Sequence, residues 1–395
     1  MALGGMKMQD DARSRLVMFS GGSACRSINL ALSRRPVHLT RVVPSWDSGG
    51  SSKILREQFD NFLSIGDIRQ ALMTMAHGEG CAGEVVKICN SRISDNLGRD
   101  EAAHEFAYYA EGRHPMVLEM EPGLRGAILN YLQTFGARIA DDFDFRNGSI
   151  GNFILTGAYL AHNNDINTAI FVFRKLCGIE GSVWPSSVQN GVDLSAVLHN
   201  GKAVEKQHLV TALDPADAAS GIGSIALSGA DGGGVRANEA VLEAIEQADM
   251  IVFGPGSFFS SILPHLLVGG IVAAVERNRG ALKVFIGNIL QCRETFSLSL
   301  SDTVARFDDR WRQNGGTAGA GLTHVLANRE LFPFEKTVGS FAYLGNGALL
   351  AQAEALGFQA VIGEFEDAWS RGTHDGEAVA GVLTGLLAPS TFVGL

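Results

Sequence analysis

The chain is poor in charge and in cysteine, and both shortages narrow what it does. Of its 395 residues only 19% are charged, and the balance is −10 at pH 7. An acidic surface argues against a nucleic-acid groove as the main function. Cysteines are five, at 25, 81, 89, 177 and 292, with no Cys-x-x-Cys pair. An odd, unpatterned set points to a reduced, cytoplasmic protein rather than a disulfide framework. The ten histidines lack ligand spacing with Cys or acidic residues, which argues against zinc. The first residues, MALGGMKMQDDARSR, lack the apolar centre of a signal peptide, and no apolar run reaches membrane-spanning length. The glycine turn after the first apolar run, residues 20–24, lacks the full dinucleotide Gly-x-Gly-x-x-Gly pattern and the P-loop lysine.

What is abundant is glycine, 48 residues, in a chain that is 46% hydrophobic. Many glycines with few charges suit a compact α/β fold with tight loops and exclude a disordered chain. Residues 15–19 read as a buried strand, 25–35 as a helix stopped by Pro36, and 37–43 as a second strand. That is a βαβ unit, so its strands are expected to be parallel. Residues 53–180 read as largely helical, either an inserted subdomain or a set of ordinary crossover helices, with helices at 68–76, 101–110, 124–135, 150–162 and 166–177. A hairpin with an Asn200-Gly201 turn spans 197–204, and another strand covers 221–228. Alternation then resumes: helix 238–247, strand 250–253, helix 260–277, strand 283–289 and helix 301–312. Strands at 324–327 and 360–362 and a helix at 377–387 follow. The expected fold is α/β: a Rossmann-like three-layer core with a mainly parallel sheet. It has a flexible N-terminus over 1–14, a nucleotide-binding core over 15–310, and a C-terminal α/β segment over 311–395 that completes the core.

Five loops carry the chemistry. The first is Ser20-Gly21-Gly22-Ser23-Ala24, where glycine lets the backbone turn sharply after a strand and approach a phosphate. The second is Asp47-Ser48-Gly49-Gly50-Ser51-Ser52, read as a loop at the carboxyl end of strand two, where open α/β sheets bind ligands. Asp47 suits a divalent cation or a ligand hydroxyl, the Gly amides and Ser hydroxyls suit phosphate, and Lys53 and Arg56 stand near as charge partners. The third, Gly66-Asp67-Ile68-Arg69, reads either as an N-cap at Asp67 or as a metal-and-phosphate pair. The fourth is Ser149-Ile150-Gly151-Asn152. A glycine in a first helical turn signals close approach, by a neighbouring helix or by a ligand, and Asn152 could then bind a base or sugar. The fifth, Gly254-Pro255-Gly256-Ser257, is another Gly-rich turn between a buried strand and a helix, with Asn288 on the same rim.

In this order, the loops resemble those of the 2-phospho-L-lactate transferase (CofD) family and its YvcK-type relatives. The latter carry Gly-Gly-Thr-Gly, Asp-Asp-Gly-Gly-Ser-Ser, Gly-Asp-Ile-Arg, Ser-Val-Gly-Asn and Gly-Pro-Gly-Ser. The resemblance runs from about residue 15 to about 310 and includes the stretch 260–267 after the last turn. It implies a Rossmann-like core and one of two activities. One is Mg²⁺-assisted transfer of a phospholactyl-type group from a nucleoside-diphosphate-linked donor, with Asp67 and Arg69 catalytic and Asp47 and Asp67 on the metal. The other is non-catalytic, regulatory binding of a nucleotide sugar. In both, Gly21, Gly22, Ser23, Gly49, Gly50, Ser51, Ser52, Arg56, Asn152, Gly254, Gly256, Ser257 and Asn288 would hold the ligand. Neither implies a nucleic acid or a membrane as partner, and both leave room for a homodimer. Three departures stand out: Ser48 replaces an acid, Ala24 replaces a glycine, and the stretch after Asn288 lacks the Pro-Gly of the YvcK pattern.

Overall fold

The structure, a computed structural model, describes residues 13–22, 25–59, 62–77, 81, 83–331 and 334–388. Nearly all of the expected flexible N-terminus, together with Ser23 and Ala24, lies outside them. Strand β1 (Ser14–Phe19) leads through α1 (Arg26–Leu32) into β2 (Val37–Val43). A helical stretch follows: α2 (Gly50–Gln58), α3 (Ile65–Met75), α4 (Gly83–Asn90), further helices at Arg99–Ala110 and Pro122–Gly136, α5 (Ile150–Ala161) and a helix at Ile166–Leu176. The chain re-enters the sheet as β3 (Ser182–Pro185), β4 (Met250–Phe253), β5 (Leu282–Ile286), β6 (His324–Asn328) and β7 (Gln359–Gly363), and closes with α6 (Gly376–Leu387).

These strands form one seven-stranded sheet in the order β7-β6-β5-β4-β1-β2-β3, with every pairing parallel. Strand order reverses at β1, which makes the β1–β4 boundary a topological switch point, where doubly wound sheets bind ligands. Register sharpens this. Phe19 sits opposite both Val42 and Phe253, so β1, β2 and β4 end level and their exit turns lie side by side. A separate antiparallel sheet of Asp193–Leu198, Ala203–Glu205 and Ile222–Ser228 carries the expected hairpin.

A strand covered on both faces needs apolar residues at successive positions. Along β1, Leu16 and Met18 enter one buried cluster, shared with α1, α3 and α5, while Val17 and Phe19 enter a second around Phe253, Phe307 and Trp311. The helical block is cemented by stacked and edge-on rings of Phe106, Phe135, Phe145 and Phe153.

Two expectations about local structure are corrected. The Gly49–Ser52 stretch is no loop: α2 begins at Gly50, with Gly49 as its extended N-cap, so Gly50, Ser51 and Ser52 form its first turn. The single helix expected over 260–277 is three pieces: a π-helical turn (Phe258–Ile262), a 3₁₀ turn (Leu263–Leu267) and, after Gly269-Gly270, an α-helix (Ile271–Arg277). Pro264 supplies no N–H to continue the first turn, and Gly270 at φ +102° starts a new one.

Candidate functional site

The site is built where the β1 and β4 turns meet. Gly22 is obligatory there. A Cβ on it would come 2.8 Å from the Asp67 Cα and 2.9 Å from the Gln70 Cβ, so α3 can pack on the turn only where no side chain intervenes. Across the switch point, Gly254 takes φ +89°, a conformation that side chains disfavour, and a Cβ there would also press on the Ile286 carbonyl at 2.9 Å. Gly256 abuts the first turn, since its Cβ would lie 3.4 Å from Gly21 N. Asn288, in the loop beyond β5 rather than inside a longer strand, fixes this second turn from both sides. Its Oδ1 accepts from Gly256 N–H (3.2 Å) and its Nδ2 donates to Gly256 O (2.8 Å). Ser257 is the N-cap of the π-helical turn, without a side-chain cap bond.

Three groups that the sequence reading did not single out brace these turns. Arg41, fully buried in β2, donates through Nε and Nη2 to Ser20 Oγ (3.1 and 2.6 Å) and also to Gly21 O. Its Nη1 donates to Thr74 Oγ1 of α3 at 2.9 Å. Burial pulls its pKa down, offset by Cys25 and Asp67. A charge inside the apolar strand VHLTRVV was the available signal. Glu294 is buried as well, and its carboxylate accepts from Phe259 N–H (2.9 Å), Ser260 N–H (3.0 Å) and Ser260 Oγ (2.6 Å). It thereby caps the turn that follows Gly256-Ser257, while burial pushes its pKa up to about 7. The third is His374, in the loop before α6. Its Nε2 lies 3.0 Å from Gly287 O, and its carbonyl accepts from Ser27 Oγ (3.0 Å).

On the β2 side lies a carboxylate pair. Asp67 is not an N-cap; Ser64 holds that position, and Asp67 stands in the first turn of α3, where its Oδ1 accepts from Gly22 N–H at 3.2 Å. Burial first, then the charge of Asp47, raise its pKa to about 7 against the pull of Gly22, Arg41 and Arg69. Asp47 accepts from Gly49 N–H (3.2 Å) and Ser64 Oγ (3.3 Å). Ser52 is buried beside Ser64, its Oγ 3.5 Å away. Ser48, at the position of the missing second acid, shares a 2.9 Å hydrogen bond with His208 Nδ1.

The remaining candidates have partners inside the protein. Arg56 is buried, and its fork is taken up by groups other than the two carboxylate side chains. It reaches Asp193 (2.9 Å), Val192 O (3.0 Å) and the Asp47 carbonyl (3.3 Å). Arg69 donates to Asn152 Oδ1 (3.2 Å) and Asn90 Oδ1 (3.4 Å), and burial lowers its pKa. Gly151 answers to a neighbouring helix, since its Cβ would sit 2.3 Å from Cys89 O of α4. Thus Gly21, Gly22, Asp47, Ser52, Asp67, Gly254, Gly256, Ser257 and Asn288 cluster about the switch point, while Arg56 anchors the three-stranded sheet. Beside Gly256 opens a cleft of about 570 Å³, bounded by Arg26 and Ser27 of α1, by Asn288, and by the 367–374 loop. That size falls within the usual range of small-molecule sites.

With the geometry in place, comparison with known proteins decides the relationship. The family model described as 2-phospho-L-lactate transferase CofD matches residues 16–340. The chain belongs to the CofD family. Within that family it is similar to the gluconeogenesis factor of Listeria monocytogenes, 27% identical over 388 residues, which cover 97% of this chain and 99% of the relative. The gluconeogenesis factor of Halalkalibacterium halodurans is 27% identical over 291 residues, 73% of this chain and 71% of the relative. A crystal structure of a UPF0052 family member from Bacillus halodurans shares the fold, with a TM-score of 0.71 at 23% identity, covering 96% of this chain and 100% of that one. This CofD-family chain is thus a divergent member. Among its described residues there is no group of three or more His, Cys, Asp or Glu side chains able to hold a metal ion, and no helix long and apolar enough to cross a membrane.

Proposed function

We propose that this CofD-family protein binds a nucleoside-diphosphate-linked ligand of the nucleotide-sugar kind across its two glycine turns, and acts by binding rather than by turnover. The observation that carries the reading is the close approach of the two turns, where a Cβ on Gly256 would lie 3.4 Å from Gly21 N, at the switch point of a parallel sheet and next to a ligand-sized cleft. A diphosphate laid there meets backbone without intervening side chains. Arg41 and Glu294 hold the two turns from beneath, so they are set before a ligand arrives. Two further facts favour binding over catalysis. Ser48, in place of an acid, leaves Asp47 and Asp67 as a bare pair, and a relative that matches nearly end to end is called a gluconeogenesis factor. Five free cysteines support a reducing, cytoplasmic setting.

One observation supports the transferase reading. The charge of Asp47 raises Asp67, so the two carboxylates share one site. Mg²⁺ commonly takes one or two carboxylates plus substrate phosphates, and the pair fits that requirement. With the ion bound, Asp47 and Asp67 would hold it, and it would supply charge neutralisation to a transferring phosphoryl group. Asp67, about half protonated near pH 7, could otherwise exchange a proton with an acceptor hydroxyl.

The test is thermal shift with UDP, GDP and UDP-sugars, with and without Mg²⁺, on the protein and on Asp67→Asn, alongside product analysis. A ligand at 100 times its Kd adds about 2.7 kcal/mol of stability. Stabilisation by a nucleotide sugar, indifferent to Mg²⁺ and without product, is the expected result. Mg²⁺-dependent product lost in Asp67→Asn would establish the transferase instead, and no shift with any nucleotide would overturn both readings.

A further inference from the structure

A second cavity, of about 500 Å³, opens toward the amino ends of β1 and β2, away from the glycine turns. Its wall carries polar atoms that the fold leaves unanswered. Asn29 of α1 is 1% exposed, and its Oδ1 has no hydrogen-bond partner among the described residues. His77 Nε2, also on the wall, is buried and meets no hydrogen-bond geometry among the described residues. A buried acceptor without a donor costs about 1–3 kcal/mol, so such atoms mark places where something else completes the bond. The rim adds charge: Arg34 and Arg35 both pair with the single carboxylate of Glu377, at 3.3 and 2.8 Å, leaving one positive charge in excess. Burial, with Arg34 and Arg26 nearby, keeps His77 below its ordinary pKa and thus neutral at pH 7. Leu39 and Met75 supply an apolar floor.

We propose that this cavity is a second ligand site, for a small phosphorylated polyol. Its phosphate pairs with the Arg34–Arg35 rim and a hydroxyl donates to Asn29 Oδ1. The site is wired to the first. Asn29 Nδ2 donates to Thr74 Oγ1 (2.9 Å), the same oxygen takes Arg41 Nη1 (2.9 Å), and Arg41 holds Ser20 Oγ and the Gly21 carbonyl. Fixing the Asn29 amide therefore fixes the brace under the glycine turn. This makes the cavity a regulatory site, with coupling that runs equally in both directions.

The experiment is calorimetric titration of the full chain, free of nucleotide, with glycerol 3-phosphate, inorganic phosphate and glycerol. Glycerol 3-phosphate binds at least about tenfold more tightly than either fragment, and Asn29→Ala and Arg34→Glu each weaken it by about tenfold or more. Asp67→Asn leaves it unchanged. Arg34 lies on the surface, so Arg34→Glu remains a clean test should Asn29→Ala fold poorly. No binding at millimolar probe overturns the site, as does binding that survives Arg34→Glu but is lost in Asp67→Asn, which would put the probe in the nucleotide cleft. The coupling arm rests on the nucleotide reading and is scored apart. Saturating glycerol 3-phosphate changes UDP-sugar affinity in the wild type and not in Arg34→Glu; an unchanged wild-type affinity overturns the wiring and leaves the site standing.

Discussion

Replacing Gly22 by alanine tests whether the first turn is held by close packing or merely tolerates a small residue. The added methyl would stand 2.6 Å from Asp67 Oδ1, 2.8 Å from its Cα and 2.9 Å from Gln70 Cβ. Two of those atoms belong to the body of α3 and cannot swing aside as a side-chain tip can. Either the turn or α3 must shift. Overpacking of this kind costs about 1–3 kcal/mol. The shift also lengthens the 3.2 Å bond from Gly22 N–H to Asp67, an ordinary hydrogen bond of about 1 kcal/mol. The expected destabilisation is about 2–4 kcal/mol in urea unfolding at unchanged m. Nucleotide affinity falls too, because the moved backbone is the backbone proposed to meet the diphosphate. Gly381→Ala is the matched control. That glycine lies inside α6 with nothing among the described residues within 4 Å of an added Cβ, and alanine there stabilises by about 0.5–1 kcal/mol. A Gly22→Ala protein within about 0.5 kcal/mol of wild type and with unchanged affinity would refute the packing argument.

Asp67 gives the pH prediction. Its folded pKa, about 7, lies above the ordinary carboxylate value, so between those two values the folded protein binds more protons than the unfolded chain. Its contribution to stability is therefore largest in acid and is lost as pH rises toward 7. Asp67→Asn keeps an acceptor for Gly22 N–H and removes the titration. Wild type should lose ground to this variant from pH 4.5 to 7.5, and parallel pH profiles would contradict the assignment. For Glu294, glutamine retains an acceptor for the two backbone donors, whereas alanine strands Phe259 N–H, Ser260 N–H and Ser260 Oγ. Alanine should cost about 3 kcal/mol or more and glutamine well under half of that, read by urea unfolding. Arg41→Lys loses the guanidinium fork that spans Ser20, Gly21 and Thr74, so nucleotide affinity should drop about tenfold while the fold persists; unchanged affinity in calorimetry would show that the brace is idle.

Much of this fold was legible because parallel strands buried on both faces announce themselves. MIVF is the strand Met250–Phe253 and VHLTRVV is Val37–Val43, both with the bounds that periodicity and punctuation gave. The glycine turns were legible for the same reason, lying where such strands stop. The helix start at Gly50 was not. Gly-Gly-Ser-Ser has loop propensity, and only packing against α3 and the three-stranded sheet turns it into a helix. Arg56 and Arg69 illustrate a different blindness. An arginine near a phosphate loop reads as a phosphate ligand, but whether its fork points to the cleft or to Asp193 and Asn152 depends on segments more than 80 residues away in sequence. Arg41 offered one cue, a charge inside an apolar strand, but what it holds, like the role of Glu294, shows only once the partners are in place.

The C-terminal segment beyond the family match is part of the site's architecture. A Cβ on Gly376 would lie 2.2 Å from the carbonyl of Ser27, so α6 seats directly on the first turn of α1. Ser27 Oγ reaches the His374 carbonyl, and His374 in turn meets Gly287 O at the exit of β5. One loop therefore touches the helix after the first glycine turn and the strand end beside Asn288. Glu366, buried behind that loop, accepts from Gly372 N–H at 2.8 Å and from Tyr343 Oη at 2.7 Å, which holds the wall rigid. A ligand filling the cleft as proposed would bear on this wall, and Glu377 of α6 pairs with Arg34 and Arg35 on the rim of the second cavity. The two ends of α1 thus report to two different cavities, and α6 clamps both. A chain that binds without turnover needs a way to make occupancy felt elsewhere, and a short helix held at each end by separate sites is a physically sufficient one.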